Sequence, residues 1–327
     1  MIEVREVTRT FRAQGRQVTA LDGVSLRVEP GEVLGVLGPA GSGKTCLVHV
    51  MLGLVAPHSG TVTIDGLDVA RHPAQALRRV GAVLEGGQGL SGRLTVQENL
   101  TCSGYLKGLS GPQLSARISS LLDLLALAEH RHRPAASLSR GAHRRLALAA
   151  ALVGDPQVLL LDDPTRGLDP QEALDLRRIL GELSRDGGRS ILICTRHMGT
   201  AAELCRKVSV MSRGRLLCCE DASALFRGFG CLPYRLVIRT PSPRVMSRLA
   251  GGLETFYPGA RLNPDGQTAT VIVEASSPGL VYSVLAFLGE NDCQLLEVSS
   301  DGEDLEERYL ELARGVSGHR YTDRLVG

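Results

Sequence analysis

Gly38-Pro39-Ala40-Gly41-Ser42-Gly43-Lys44-Thr45 is the stretch on which the reading of this chain turns. Its G-x-x-x-x-G-K-[ST] spacing is that of a phosphate-binding loop. The glycines let the backbone wrap close to phosphate oxygens and turn its N–H groups inward. The apolar run Val33 to Leu37 leads in, as expected of a strand covered on both faces. An apolar helix, predicted from about Thr45 to Leu54, leads out and aims its positive end at the same place. A glycine-rich turn that matched by chance would lack this strand, loop and helix order. Lys44 is then set to reach the β- and γ-phosphates, and the Thr45 hydroxyl to ligate Mg2+. The loop alone does not choose between a kinase, a GTPase, a helicase and a transporter ATPase.

Working outward, Ile2 to Val7 and Val18 to Val28 read as strands, the second closed by Pro30-Gly31. Thr61 to Ile64 and Val80 to Leu84 are short strands. From about Thr95 to Val153 the pattern is helical, and Thr95-Val96-Gln97-Glu98 has capping-box spacing. Leu121, Leu122, Leu124, Leu125 and Leu127 fit one helix face. Val158 to Leu161 and Ile191 to Cys194 return to buried strands. Between them Asp169-Pro170-Gln171-Glu172 reads as a helix start. Strand and helix alternate at both ends of an all-helical stretch, which predicts a parallel α/β core with a helical subdomain at about 90–153. After about Leu225 the texture changes. Strands at Leu236 to Ile238, Thr270 to Val273 and Leu295 to Val298, with helices at Leu280 to Leu288 and Leu305 to Leu312, predict a small α+β domain. The expected division is 1–225 and 226–327.

Asp162 and Asp163 end the apolar run Val158 to Leu161. Asp162 has the position to hold Mg2+, directly or through water. Asp163 is placed to orient or deprotonate an attacking water. Upstream, Leu138-Ser139-Arg140-Gly141 opens the predicted helix Leu146 to Val153. With these residues on the page, the chain from about Ile2 to Asp221 resembles an ABC-type ATPase. Leu138-Ser139-Arg140-Gly141 resembles the family's signature motif, and Asp162 to Asp169 its Walker B motif running into the D-loop. The resemblance implies a RecA-like P-loop core with a helical subdomain, binding ATP and Mg2+. It implies two cassettes joined head to tail, with Ser139 and Gly141 acting on ATP held by the other chain. Phe11 matches the aromatic that stacks on adenine, with an ordinary core Phe as the alternative. Val80 to Leu100 resembles the Q-loop and the segment facing a membrane subunit, with Glu85 a possible Mg2+ ligand. Gly81 to Gly86 and the small C-terminal domain resemble ATPase subunits of drug- and antibiotic-exporting ABC-2-type transporters.

Four departures from the family pattern bear on hydrolysis. Asp163 stands where Glu is usual, and the missing methylene withdraws the carboxylate by ~1.5 Å. Glu85 stands at the Q-loop glutamine. Arg196 stands at the switch histidine, with His197 one residue later, and either is left as the γ-phosphate contact. Arg140 replaces a signature glycine.

Two function classes follow. One is the motor of an exporter, working with an ABC-2-type transmembrane permease subunit as a homodimer, or as a heterodimer whose partner supplies sound elements. The other is a weakly hydrolysing ATP sensor or immunity module that gates a membrane partner. Soluble cassettes that serve DNA repair or ribosomes are a distant third, since this chain has no sustained heptads. A net charge of only +2 gives no basic surface of the kind nucleic acid requires. No stretch approaches the ~20 apolar residues of a membrane helix, and Met1 to Arg5 is unlike a signal peptide. The eight cysteines contain no C-x-x-C pair. The expected location is cytoplasmic, peripheral at the inner membrane face through the permease.

Overall fold

In the computed structural model the described residues are 1–13, 16–84, 89–168, 170–185, 188–228, 232–240, 242–257, 260–275 and 278–300. They divide into two compact units, with the break between Ser223 and Ala224.

The first unit opens with β1 (Ile2–Ala13), β2 (Arg16–Val28) and β3 (Val33–Leu37), then α1 (Lys44–Met51). There follow β4 (Ser59–Ile64), β5 (Leu67–Asp68), α2 (Pro73–Arg78) and β6 (Val80–Val83). Three helices come next, α3 (Val96–Leu106), α4 (Gly111–Leu124) and α5 (Arg140–Leu152). The chain then alternates through β7 (Val158–Asp162), α6 (Pro170–Arg185), β8 (Ser190–Thr195) and α7 (Met198–Leu204). It continues through β9 (Lys207–Ser212) and β10 (Arg215–Asp221), and the break falls within α8 (Ala222–Gly228).

These strands form two sheets. One has the order β10-β9-β3-β8-β7-β6, parallel throughout except at the β10 edge. All of β3, β7 and β8 is buried, which accounts for their unbroken apolar sequences. The other sheet, β2-β1-β4-β5, is antiparallel. The expected parallel core is present, and an antiparallel sheet lies in the same unit. The first strands alternate Ile2, Val4 inward with Glu3, Arg5 outward, the mark of a hairpin sheet with one wet face. Helix α1 touches β2 and β4 on one side and β7 and β8 on the other. Its Leu47, Val48 and Met51 join Ile2, Leu21, Ile64 and Leu160 in one core. Each such side chain contributes roughly 1.5–3 kcal/mol by leaving water. This clamp fixes the residues that open α1 at the C-terminal ends of β3, β7 and β8, where parallel sheets hold ligands.

In the helical stretch the capping box is present. The Thr95 hydroxyl accepts from Glu98 N, and the Glu98 carboxylate accepts from Thr95 N. The leucine face differs from expectation. Helix α4 ends at Leu124, which is 43% exposed, while Leu125 and Leu127 are buried beyond the helix end. Leu121 and Leu122 share the buried face of α4 with Leu114 and Ile118, and Leu125 and Leu127 belong to the following bend.

The second unit runs β11 (Leu232–Arg239), α9 (Pro243–Phe256), β12 (Ala260–Asp265), β13 (Thr268–Ala275), α10 (Pro278–Glu290) and β14 (Gln294–Ser300). Its antiparallel sheet has the order β12-β13-β11-β14, a split βαβ arrangement. Leu236, Ile238, Val271 and Val273 share a core with Leu249 and Leu253 of α9 and Val284 and Leu288 of α10. Helix α9 was not anticipated, although Ser242-Pro243 marks its start. The Ser242 hydroxyl accepts from Val245 N, and proline occupies the first turn. The helix expected at Leu305 to Leu312 lies outside the described residues.

Candidate functional site

The loop after β3 is shaped by contacts only glycine allows. A Cβ on Gly38 would lie 2.2 Å from the Met211 carbonyl oxygen. Gly43 has φ 111° and starts α1 with no side-chain cap. Lys44 Nζ donates to Gly38 O at 2.8 Å, Pro39 O at 2.7 Å and Ser42 Oγ at 3.1 Å. Burial pulls the Lys44 ammonium below its ordinary pKa, against the attraction of Asp163 and Asp162. A cleft of about 330 Å³ opens here, lined by Ala40, Gly41, Gly43, Lys44, Thr45, Asp162, Asp163 and Arg196, with Ala20, Cys46 and Arg166 completing it.

Asp162 ends β7 and is 2% exposed. Burial raises its carboxyl pKa, and a side-chain hydrogen bond with Thr45 works in the opposite direction. Its second oxygen, Oδ2, is buried with no hydrogen-bond partner. A hydroxyl, a carboxylate and an orphaned carboxylate oxygen beside a phosphate loop fit Mg2+, which takes few protein ligands and keeps water and phosphate oxygens. Among the described residues there is no cluster of three His, Cys, Asp or Glu that would form an all-protein metal cage.

Asp163 follows with φ 47°, a left-handed conformation that Asp tolerates better than most residues. Its N–H donates to Cys194 O at 2.7 Å, so the turn is tied to β8. The Thr195 hydroxyl donates to Asp163 Oδ1 at 3.1 Å, and Arg196 Nε lies 3.8 Å from Oδ2. Both carboxylate oxygens thus face a protein group. Arg196 lines the cleft. His197 precedes α7, and its backbone N–H donates to Thr195 Oγ1 at 3.0 Å; its side chain is not among the cleft's lining. Thr195 was not anticipated, because a single buried threonine at a strand end carries no pattern.

Ser139 and Gly141 lie elsewhere, at the start of α5. The Ser139 hydroxyl oxygen accepts from Ala142 N at 3.1 Å. Ser139 Oγ and Gly141 N each donate to Glu172 Oε1 at 3.2 Å. A second cleft of about 440 Å³ is lined by Arg140, His143, Arg144 and Arg166 among others, and Arg166 borders both clefts. Arg144 is 9% exposed and donates to Leu84 O at 3.3 Å. Glu172, Arg144 and Arg166 were all missed in the sequence, since charges on helices and turns usually mark solvated faces.

Phe11 is 37% exposed on the β1–β2 hairpin, with the Arg9 guanidinium 4.8 Å from its ring centroid. The core-Phe alternative is therefore set aside. Phe11 is not among the residues lining the first cleft. Glu85 and Asp169 lie outside the described residues.

Residues 21–166 match the family model described as ABC transporter. The Nod factor export ATP-binding protein I of Paraburkholderia xenovorans is 40% identical over 215 residues, covering 65% of this chain and 70% of that protein. This chain belongs to the ABC transporter ATP-binding family. The methionine import ATP-binding protein MetN of Streptomyces coelicolor is 38% identical over 227 residues, covering 66% of this chain but only 64% of MetN. The dimeric structure of MJ0796, a bacterial ABC transporter cassette, superposes with a TM-score of 0.63 at 25% identity, over 68% of this chain and 99% of that one. A post-hydrolysis form of the same cassette holds ADP and phosphate, at the same score and identity. The first unit is thus an ABC ATPase cassette. No described helix is long and apolar enough to cross a membrane.

Proposed function

We propose that this chain is the ATP-driven subunit of an exporter, acting on a separate ABC-2-type permease from the cytoplasmic face. The observation that carries the motor reading is the cleft in which Lys44, Thr45, Asp162 and Asp163 meet below one glycine loop. In this reading loop N–H groups and Lys44 hold the β- and γ-phosphates, and Phe11 flanks adenine. Thr45 and Asp162 hold Mg2+, joined by Glu85. Bound Mg2+ would neutralise charge on the phosphate oxygens. Asp163 orients the attacking water, and Arg196 contacts the γ-phosphate.

The phosphate loop and the Ser139–Gly141 segment line different clefts, and no described residue of the Ser139–Gly141 segment lines the first. This supports closure of the site by a second cassette, most simply a second copy. An apolar groove of about 320 Å³, bounded by Leu54, Val83, Leu106 and Ala150, supports a membrane subunit as partner. Leu106 is 85% exposed and Leu54 63%, and such paired leucines on a rim suit a docked helix. The direction of transport rests on the likeness to the Nod factor export protein; the likeness to MetN favours import as the second reading. Binding of labelled Mg-ATP and phosphate release, both lost in Lys44→Ala, test the motor. Substrate accumulation in inverted vesicles carrying the whole complex tests export, and accumulation in right-side-out vesicles instead would establish import.

The sensor reading has one observation of its own. Asp163 is short, and both its oxygens are engaged by Thr195 and Arg196. ATP binding without measurable turnover in the assembled complex would favour it.

A further inference from the structure

We propose that Glu172 is an internal competitor for phosphate, a carboxylate of the same chain seated where the signature segment receives nucleotide. The proposal rests on the reading that Ser139 and Gly141 act on ATP held by a second cassette.

Three observations lead to it. First, one oxygen, Glu172 Oε1, accepts from both the Ser139 hydroxyl and the Gly141 N–H at 3.2 Å. These are the two groups that would donate to a phosphate oxygen. Second, the fit depends on the absence of a side chain. A Cβ on Gly141 would lie 2.3 Å from the same oxygen, so the small residue that admits phosphate here also admits the carboxylate. Third, the start of α5 attracts an anion without having one. Its first turn contains no acidic residue, and Arg140 stands there in place of a signature glycine. The positive helix end and the guanidinium add in the same direction. Glu172 supplies the missing negative charge from the first turn of α6.

ATP-driven pairing then includes an exchange of anions. Phosphate oxygens enter the seat and Glu172 leaves it, giving up two charge-assisted hydrogen bonds. No bond is made or broken covalently. The consequence is a raised ATP threshold for dimerisation. Each charged hydrogen bond of this kind is about twice as strong as its neutral counterpart. A neutral amide at the position therefore lowers the ATP concentration needed by roughly tenfold.

Glu172 also lies at the N-terminus of α6, where a carboxylate stabilises a helix in its own right. That role alone predicts the opposite outcome, a less stable chain that dimerises no better.

The experiment is sedimentation velocity of the full chain across a Mg-ATP titration, on wild type, Glu172→Gln, Glu172→Asp and Ser139→Ala. Thermal melts and labelled-ATP binding confirm that each is folded and loaded. The proposal expects half-dimerisation of Glu172→Gln at roughly a tenth of the wild-type ATP concentration. Glu172→Asp, with a carboxylate withdrawn from the seat, shifts in the same direction. A midpoint unchanged or raised in both variants, with dimerisation abolished in Ser139→Ala, overturns the competition and leaves the signature reading standing. Wild-type dimerisation of Ser139→Ala overturns the signature reading, and the competition with it. No ATP-driven dimer in wild type or Glu172→Gln, with ATP still bound, also overturns the competition, because removing the carboxylate then changes nothing.

Discussion

Asp163→Glu is expected to raise turnover by about 100-fold and to lower stability. The gain follows from reach. Asp163 is anchored by its N–H to Cys194 O, and its carboxylate is drawn towards Thr195 and Arg196. One more methylene advances the carboxylate by ~1.5 Å, and a misplacement of ~1 Å is worth on the order of 100-fold in rate. The loss follows from the backbone. Residue 163 has φ 47°. Asp tolerates this region better than most residues, and its carboxylate here accepts from the Thr195 hydroxyl of β8 at 3.1 Å. A longer side chain gives up that bond and keeps the strained backbone, at about 1 kcal/mol. In a domain of this size that is roughly 2–4 °C in Tm. The assay is steady-state phosphate release over a range of Mg-ATP, giving kcat and KM separately, beside a thermal melt. KM is expected to stay within a factor of about three, since phosphate binding belongs to Lys44 and the loop. A folded variant that binds ATP as wild type does but shows no rise in kcat would refute the argument from reach.

Two further outcomes are expected. Burial raises the Asp162 pKa, so the folded chain keeps this proton where the unfolded chain has lost it. Stability then falls as pH climbs from the ordinary carboxylate range through the raised folded value, and above that window the charged group is a burden. Asp162→Asn should raise Tm at neutral pH while abolishing Mg-dependent phosphate release; a lower Tm would contradict the sign. A mixture of Lys44→Ala and Ser139→Ala chains, each inactive alone, should recover about a quarter of wild-type phosphate release if the two sites of a homodimer fire independently. No recovery, in dimers that demonstrably mix, would mean that both sites must be whole together.

Much of the parallel core was legible because burial on both faces leaves a contiguous apolar run. Val33 to Leu37, Val158 to Leu161 and Ile191 to Cys194 are read directly as β3, β7 and β8. The antiparallel sheet was less legible. Ile2 to Val7 shows the alternation, but β1 continues to Ala13 with register shifts against β2, and bulges break the period on which such reading depends. Helix α9 was lost for another reason. Its Gly251 and Gly252 suppress the apolar signal in mid-helix, so Leu249 and Leu253 do not stand out as one face.

The site divides along a similar line. Residues whose role is fixed by backbone shape announce themselves, because only glycine permits the loop around Lys44 and only a strand end presents Asp162. Residues whose role is fixed by what faces them do not. Nothing in Pro170-Gln171-Glu172-Ala173 distinguishes the carboxylate that reaches Ser139 and Gly141 from a helix-starting glutamate, and the reach spans more than thirty residues of sequence. The same holds for Thr195, whose hydroxyl donates to Asp163 at 3.1 Å. Each of these groups restrains an anion or a carboxylate instead of supplying chemistry of its own. On the readings proposed above, Thr195 restrains the Asp163 carboxylate and Glu172 raises the ATP needed for pairing, so both act against turnover.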